Sequence, residues 1–477
     1  INSLSTSQLG ALTTAQASGL STSTLNGLST ADVAALSTKV LSALTSTQIG
    51  SISTSGFASL TATQIGAITS TQVAGLSTSQ LSGLGTTQVS AISTKDISSL
   101  STTQLGALSV SGFNAAQVSS FTTTQVASVI SSLSTTQLGA LTTAQASGLS
   151  TSTLNGLSTA DVAALSTKVL SALTSTQIGS ISTSGFASLT ATQIGAITST
   201  QVAGLSTSQL TGLGTAQVGA ISTKDISSLS TTQLGALSVS GFSAAQVSSF
   251  TTTQVASVIS SLSTSQLGAL TTAQASGLST STLNGLSTAD VAALSTKVLG
   301  ALTSTQIGSI STSGFASLTA TQIGAITSTQ VAGLSTSQLS GLGTTQVAAI
   351  ATKDISSLST TQLSALSIAG LSGSQISAMT TAQIGSISTT SFGALSATQI
   401  GAITSVQASA LSSAQLNQLN STQIAALSTK DIPDLTTTTL DSLNTVTLGM
   451  LTYNQVAAMS STQLQSLGTT GIQYLAV

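Results

Sequence analysis

From Leu4 onward, large apolar residues recur on a beat of eight. The chain reads LSTSQLGA, LTTAQASG, LSTSTLNG, LSTADVAA, LSTKVLSA and continues in the same style. Positions 1 and 6 of each octad are apolar, positions 2 and 3 are Ser or Thr, position 5 is mostly Gln, and positions 7 and 8 are small. One continuous α-helix does not suit this pattern. At about 100° per residue the apolar pair advances by about 80° per octad, so no stripe forms that could be buried. One straight strand does not suit it either, because positions 1 and 6 have opposite parity and face opposite sides.

A short capped helix accounts for every position. Ser or Thr followed three residues later by Gln is a capping box, and apolar residues just before the cap and at the fourth helical position form a hydrophobic staple. In Leu4-Ser5-Thr6-Ser7-Gln8-Leu9, Ser5 is the N-cap, Gln8 closes the box and Leu4 packs on Leu9. Asp32 and Asp96 stand where Gln is usual, and Gly85 stands at an N-cap, a tolerated substitute. The spacing predicts helices from about octad position 3 to position 8. The fold class expected is all-α, a repeat solenoid with one very short capped helix per octad. The β-solenoid is the alternative, since Thr, Ile and Val also suit strands. One octad cannot offset its own ordering cost, so octads must stack on a shared apolar spine. That picture places Leu, Ile, Val and Ala inside and Ser, Thr and Gln outside.

A longer repeat is superposed. The opening string recurs at Leu133 and Leu262, a spacing of 129, and Asp32, Lys39, Phe57 and Lys95 recur with it. The organisation expected is three long copies, 1–132, 133–261 and 262–390, with the third diverging after about residue 366, and a divergent octad tail, 391–477. Within the first copy the frame slips twice. LSVSGFNA reads as an octad, AQVSS as one lacking its first three positions, and VISS as a fragment.

Composition then removes most chemistry. Only 3% of residues are charged, and the chain has no Arg, Glu, His, Cys or Trp. Catalysis by a His-based triad, an ordinary zinc site and a disulfide are excluded. A net charge of −2 without a basic run gives no footprint for nucleic acid. The mean hydropathy of +0.48 reflects missing charges. No run approaches the ~18 consecutive apolar residues of a membrane span. The chain starts at Ile1 without a basic-then-apolar leader, so any targeting signal is removed or lies outside it.

No catalytic, cofactor-binding or metal-binding residue is expected. Lys39 and Lys95 are read as solvated charges rather than partners of a nucleophilic Ser. Lys95-Asp96, Lys224-Asp225 and Lys353-Asp354 are read as surface or inter-turn ion pairs. Asp431, Asp434 and Asp441 form a local acidic excess without a calcium-loop pattern. Phe57 and Phe113 are read as position-6 core residues. Asn420-Ser421-Thr422 is the sole N-glycosylation sequon.

The string LSTTQLGALTTAQ at residues 133–145 resembles the octad arrays of very large secreted bacterial surface proteins, often described as adhesin-like. The resemblance runs through nearly the whole chain. It implies an extracellular or cell-surface location and a structural role. The LSTxQ opening is also similar to the helix start of transcription activator-like effector repeats, but those are longer and basic, and DNA binding is rejected. The function expected is a non-enzymatic fibre, sheath or surface filament built by self-association, with itself as partner and no cofactor. The alternative is an adhesin stalk or a surface that binds glycans or cells. The apolar octad Leu4–Ala11 and the uncharged run Leu467–Val477 lead to an expectation of end-to-end assembly.

Overall fold

The computed structural model describes residues 3–475. The chain divides into two compact units, Ile1–Phe242 and Ser243–Val477, built on the same plan. Each octad forms one short helix, and no strand occurs among the described residues. The all-α solenoid is the fold, and the β-solenoid is not. The last two residues of the run ending at Val477 lie outside the described residues.

The capping box determines where each helix starts. The first helix spans Thr6–Gly10, with Ser5 as an extended N-cap at φ −70° and ψ 158°. The Ser5 N–H donates to Gln8 Oε1 at 2.9 Å, and the Gln8 N–H donates to Ser5 Oγ at 3.3 Å. At Gly85 the side-chain half of the box is missing, yet Gln88 Oε1 still accepts the Gly85 N–H at 2.8 Å. Apart from the last, Ser461–Ile472, which is kinked at Gly468, the helices end within about two turns because the next position 1 returns to extended backbone. Leu44, for example, has φ −66° and ψ 144°. Its N–H donates to the Leu41 carbonyl, tying position 1 to the preceding position 6. Both apolar positions are core: Leu36, Leu41, Leu44 and Ile49 are all buried.

Three helices complete one turn. In the first unit, helix Thr30–Ala34 packs on Thr54–Ala58, and Ser46–Gly50 on Ser70–Ala74, each three steps further along. In the second unit, Ala397–Ile400 packs on Ser421–Ala426 in the same way. The small residues at positions 7 and 8 lie where successive turns touch. A Cβ on Gly75 would lie 2.8 Å from Ser46 Cβ, and one on Gly50 would lie 3.0 Å from the Gly75 carbonyl oxygen.

Gln departs from the expected outside position. Gln72 and Gln80 are 2% and 1% exposed, whereas Gln8 and Gln16 of the first turn are exposed. The reason lies in the other half of the carboxamide. While Oε1 caps its own helix, Nε2 reaches the turn below. Gln72 Nε2 donates to the carbonyls of Leu41 at 2.7 Å and Leu44 at 2.6 Å. Gln80 Nε2 donates to Ile49 at 3.1 Å and Ile52 at 2.9 Å. Those acceptors are the end of one short helix and the start of the next: Leu41 and Ile49 hold the N–H three residues on, and Leu44 and Ile52 lie past the helix end.

The frame slips also resolve differently. A 3-10 turn at Val110–Gly112 belongs to a five-residue unit, LSVSG, and FNAAQVSS is a complete octad with Asn114 as its N-cap. Phe113 therefore occupies position 1, beside Phe121 of the next octad. Their rings meet edge to face at 5.1 Å. The fragment VISS extends helix Thr123–Val129 and closes it with a 3-10 turn at Ile130–Ser132. Each short unit takes one side of the three-sided turn, as an octad does. Gln137 Nε2 thus reaches Val110 and Phe113, both at 2.8 Å, across a reduced sequence distance. One long copy contains thirteen octads, the five-residue unit, two octads and the four-residue unit, seventeen in all. Seventeen is not a multiple of three. Lys39 and its counterpart Lys168 consequently stand on different sides of the first unit.

The two-sided use of Gln predicts an asymmetry between substitutions. Q80A loses the Oε1 half of the box and the Nε2 donor to the Ile49 and Ile52 carbonyls, of which only Ile49 keeps another partner, the Ile52 N–H, a cost of about 1–3 kcal/mol. Q80E keeps the box but turns a carboxylate oxygen on two carbonyls, and should be less stable than Q80A at neutral pH. The buried carboxyl has a folded pKa above its unfolded one, so Q80E should recover as pH falls through that window. Urea melts of both variants across pH test this. Wild-type stability of Q80E at neutral pH would contradict it.

Candidate functional site

Every Lys is exposed, including Lys39, Lys95, Lys224 and Lys353. The Asp residues divide into two kinds. Asp32 and Asp161 act as the box partner: Ser29 N–H and Oγ donate to Asp32 Oδ2 at 3.2 and 2.7 Å, and Ser158 does the same to Asp161. Asp96 was expected to join them, yet its helix has no side-chain cap. Four octads share the string Thr-Lys-Asp-Ile, and their aspartates, Asp96, Asp225, Asp354 and Asp431, are all at most 4% exposed.

These carboxylates turn away from the adjacent Lys and inward. Ser70, Ser199 and Ser328 from the turn below donate their hydroxyls to Asp96, Asp225 and Asp354. Ser405 does the same for Asp431 at 3.0 Å. The ion pairs expected for Lys95-Asp96 and its two copies therefore do not form. Asp is too short to span both turns as Gln does. It holds to the lower turn through a Ser hydroxyl instead. Ser93 supplies a second hydroxyl to Asp96 at 2.7 Å, but the third copy has Ala351 at that place. There Asp354 Oδ2 is buried without a hydrogen-bond partner, and so is Asp431 Oδ2.

Burial pushes the Asp431 carboxyl above its usual value of 3.8, while the hydroxyl of Ser405 and the backbone of Ser428 oppose the shift. Asp434 and Asp441 are exposed, and Asp434, one turn on, adds a smaller upward push on the Asp431 carboxyl that exposed Lys430 opposes. Among the described residues, no group of His, Cys, Asp or Glu is placed to hold a metal ion. Phe57 is fully buried core, as expected. Asn420 is exposed and caps a helix: its Oδ1 accepts the Gln423 N–H at 3.0 Å.

Sequence reasoning passed over the residue that organises the site. Gln was read as a cap alone. The signal that its second face is used was present: a capping box accepts Glu or Gln, yet the chain contains no Glu. A carboxylate would serve the cap and repel the carbonyls of the turn below.

The geometry defines a class, an all-α repeat solenoid of very short helices joined by buried carboxamides. Residues 25–62, 202–239, 283–320 and 409–437 match the family model of the ALTTAQ repeat, and the chain is a repeat protein similar to that family over those segments. No curated protein matches it.

Asp431 yields a pH prediction. Its folded pKa is raised, so the folded state holds a proton that the unfolded state has released between 3.8 and the folded value. Its contribution should therefore improve as pH falls through that window. D431N should be more stable than wild type at neutral pH and lose that part of the dependence. D431Q should gain more, because its Nε2 would meet the carbonyls of Ile400 and Ile403. Thermal melts from neutral to acidic pH check both. A loss of neutral-pH stability in D431N would contradict the assignment.

Proposed function

We propose that this protein is a non-enzymatic structural element that builds an extracellular or cell-surface fibre or sheath by self-association. The observation that carries the reading is the sameness of the contact between turns. Each turn presents carboxamide donors on one face and helix-end carbonyls on the other, as Gln72 and Gln80 do. A contact between unlike faces is heterologous, and one repeated by translation has no built-in stop. The surface supports the reading too. It is rich in Ser and Thr hydroxyls, poor in charge, and carries Lys39 and Lys168 on different sides, so no charged face is built up for an anionic partner. No helix among the described residues is long and apolar enough to cross a membrane. The lack of His, Cys and Glu supports a role without chemistry. The resemblance to octad arrays of secreted bacterial surface proteins supports the location.

A second reading, a stalk that presents a surface for glycans or another cell, is favoured by one feature. Among the described residues, the large exposed apolar side chains, Val406, Val446, Tyr453, Ile472 and Tyr474, all lie in the divergent tail.

The two readings part in solution. A fibre held by carboxamides and apolar contacts should grow with protein concentration and change little between about 0.01 and 1 M salt, where charge screening varies most. Sedimentation velocity and electron microscopy test this. A monodisperse monomer at every concentration would overturn the fibre and favour the stalk.

A further inference from the structure

Where the third long copy meets the divergent tail, a cavity of about 110 Å³ is lined by Leu363, Leu366, Ile368, Ile387 and Ser391. Its origin can be traced. Gln383 in the preceding octad donates to the carbonyls of Ile355 and Leu358, and Gln399 in the following one reaches Ile368 and Leu371. The octad between them, residues 387–394, has Ser391 at position 5. By the same register a Gln there would reach the carbonyls of Leu363 and Leu366, and both residues line the cavity.

Other octads lose the Gln without opening a hole. Gly56, Gly185 and Gly314 also replace it, and there a valine from the turn below fills the space. A Cβ on these glycines would meet Val33, Val162 or Val291 at 3.0–3.1 Å. Each of those valines is at position 6 of its octad. Beneath Ser391 lies the five-residue unit Leu366–Gly370, which has no position 6. In the first two copies the space above this unit is taken by the four-residue unit, with Ile130 and Ile259 buried. The third copy places a full octad there, with neither a Gln nor a valine to fill the gap.

We propose that this cavity is a binding site for a small, neutral molecule carrying a primary carboxamide. The fragment missing from Ser391 relative to Gln is a methylene and a carboxamide, about the size of acetamide. The acceptors for its N–H groups are the carbonyls of Leu366 and of Leu363, the latter already accepting the Leu366 N–H, and Gln383 and Gln399 donate to the equivalent pairs on either side. No charged side chain lines the cavity, so an ammonium ion would enter without a counter-charge. The apolar walls receive the methyl group. The exposed residues Ser364, Ser386 and Ser388 flank the opening, and their hydroxyls are engaged with Thr361, Gln383 and Ser391. Their hydroxyl hydrogens are thus committed, so toward a ligand these oxygens, like the backbone carbonyls, can only accept, which suits a ligand that brings N–H donors.

The test uses the full chain and acetamide as probe, read by saturation-transfer NMR. The wild type should give a saturable signal. N,N-dimethylacetamide, which keeps the carbonyl and apolar part but has no N–H, should give at least about tenfold less, the difference expected for ~1.4 kcal/mol. S391Q, which supplies the carboxamide from the chain, should lose the acetamide signal by a similar factor. S391N, one methylene shorter, should lose it as well, while S391A should keep it. Equal signals from the two amides, an undiminished signal in S391Q and S391N, or no saturable signal in the wild type, as for a cavity holding water alone, would each overturn the proposal.

Discussion

One side chain joins this structure in two directions. The carboxamide of a buried Gln accepts the N-cap N–H of its own helix through Oε1 and donates through Nε2 to the helix junction one turn below. Gln48 accepts from Thr45 at 2.8 Å and donates to Ala17 at 3.2 Å and Leu20 at 2.7 Å. Helices of four to seven residues have few intrahelical bonds and many unpaired ends, which would be costly to bury. The Gln satisfies the start of one helix and the end of another together. Without it, a solenoid of such short helices would bury backbone groups at every corner.

The remaining features follow from that constraint. Nε2 must reach a carbonyl below, so the turns must lie close, and Gly, Ala and Ser occupy positions 7 and 8. The acceptor is a carbonyl, so Glu is absent although the cap alone would tolerate it. Where Gln is replaced, another contact takes over. Asp96 uses Ser70, Thr439 donates its own hydroxyl to Leu411 at 2.9 Å, and Gly56 lets Val33 close the space. Shortened units fit the array because one side of a turn, rather than a fixed count of residues, is what repeats. At Ser391, above a shortened unit, neither a Gln nor a valine fills the space, and a cavity results.

Much of the local structure was legible in the sequence. Ser5 with Gln8 and Leu4 with Leu9 encode helix start, cap and core at short range, where spacing alone carries the information. The turn was not legible, because contacts at twenty-four to thirty-one residues leave no local mark. Misplacing Gln on the outside followed from treating a polar side chain as solvated, when both halves of its amide are bonded. Reading Asp96 as half of an ion pair came from its neighbour Lys95, whereas its partner Ser70 is a turn away. The frame at Phe113 was misread because the five-residue unit begins like an octad, and Asn114 is the cap that gives the correct frame. For the candidate site, the sequence indicated which chemistry was missing but not the vacancy at Ser391, which needs two units brought together.

The central claim is that the Gln carboxamides are donors between turns. The most direct measurement is hydrogen exchange of the Gln side-chain N–H₂ protons by NMR on protein labelled at Gln. The account predicts slow exchange for Gln72, Gln80 and Gln145, whose Nε2 atoms are buried and bonded, and free-amide rates for the exposed Gln8 and Gln16. Uniformly fast exchange across all of them would contradict it.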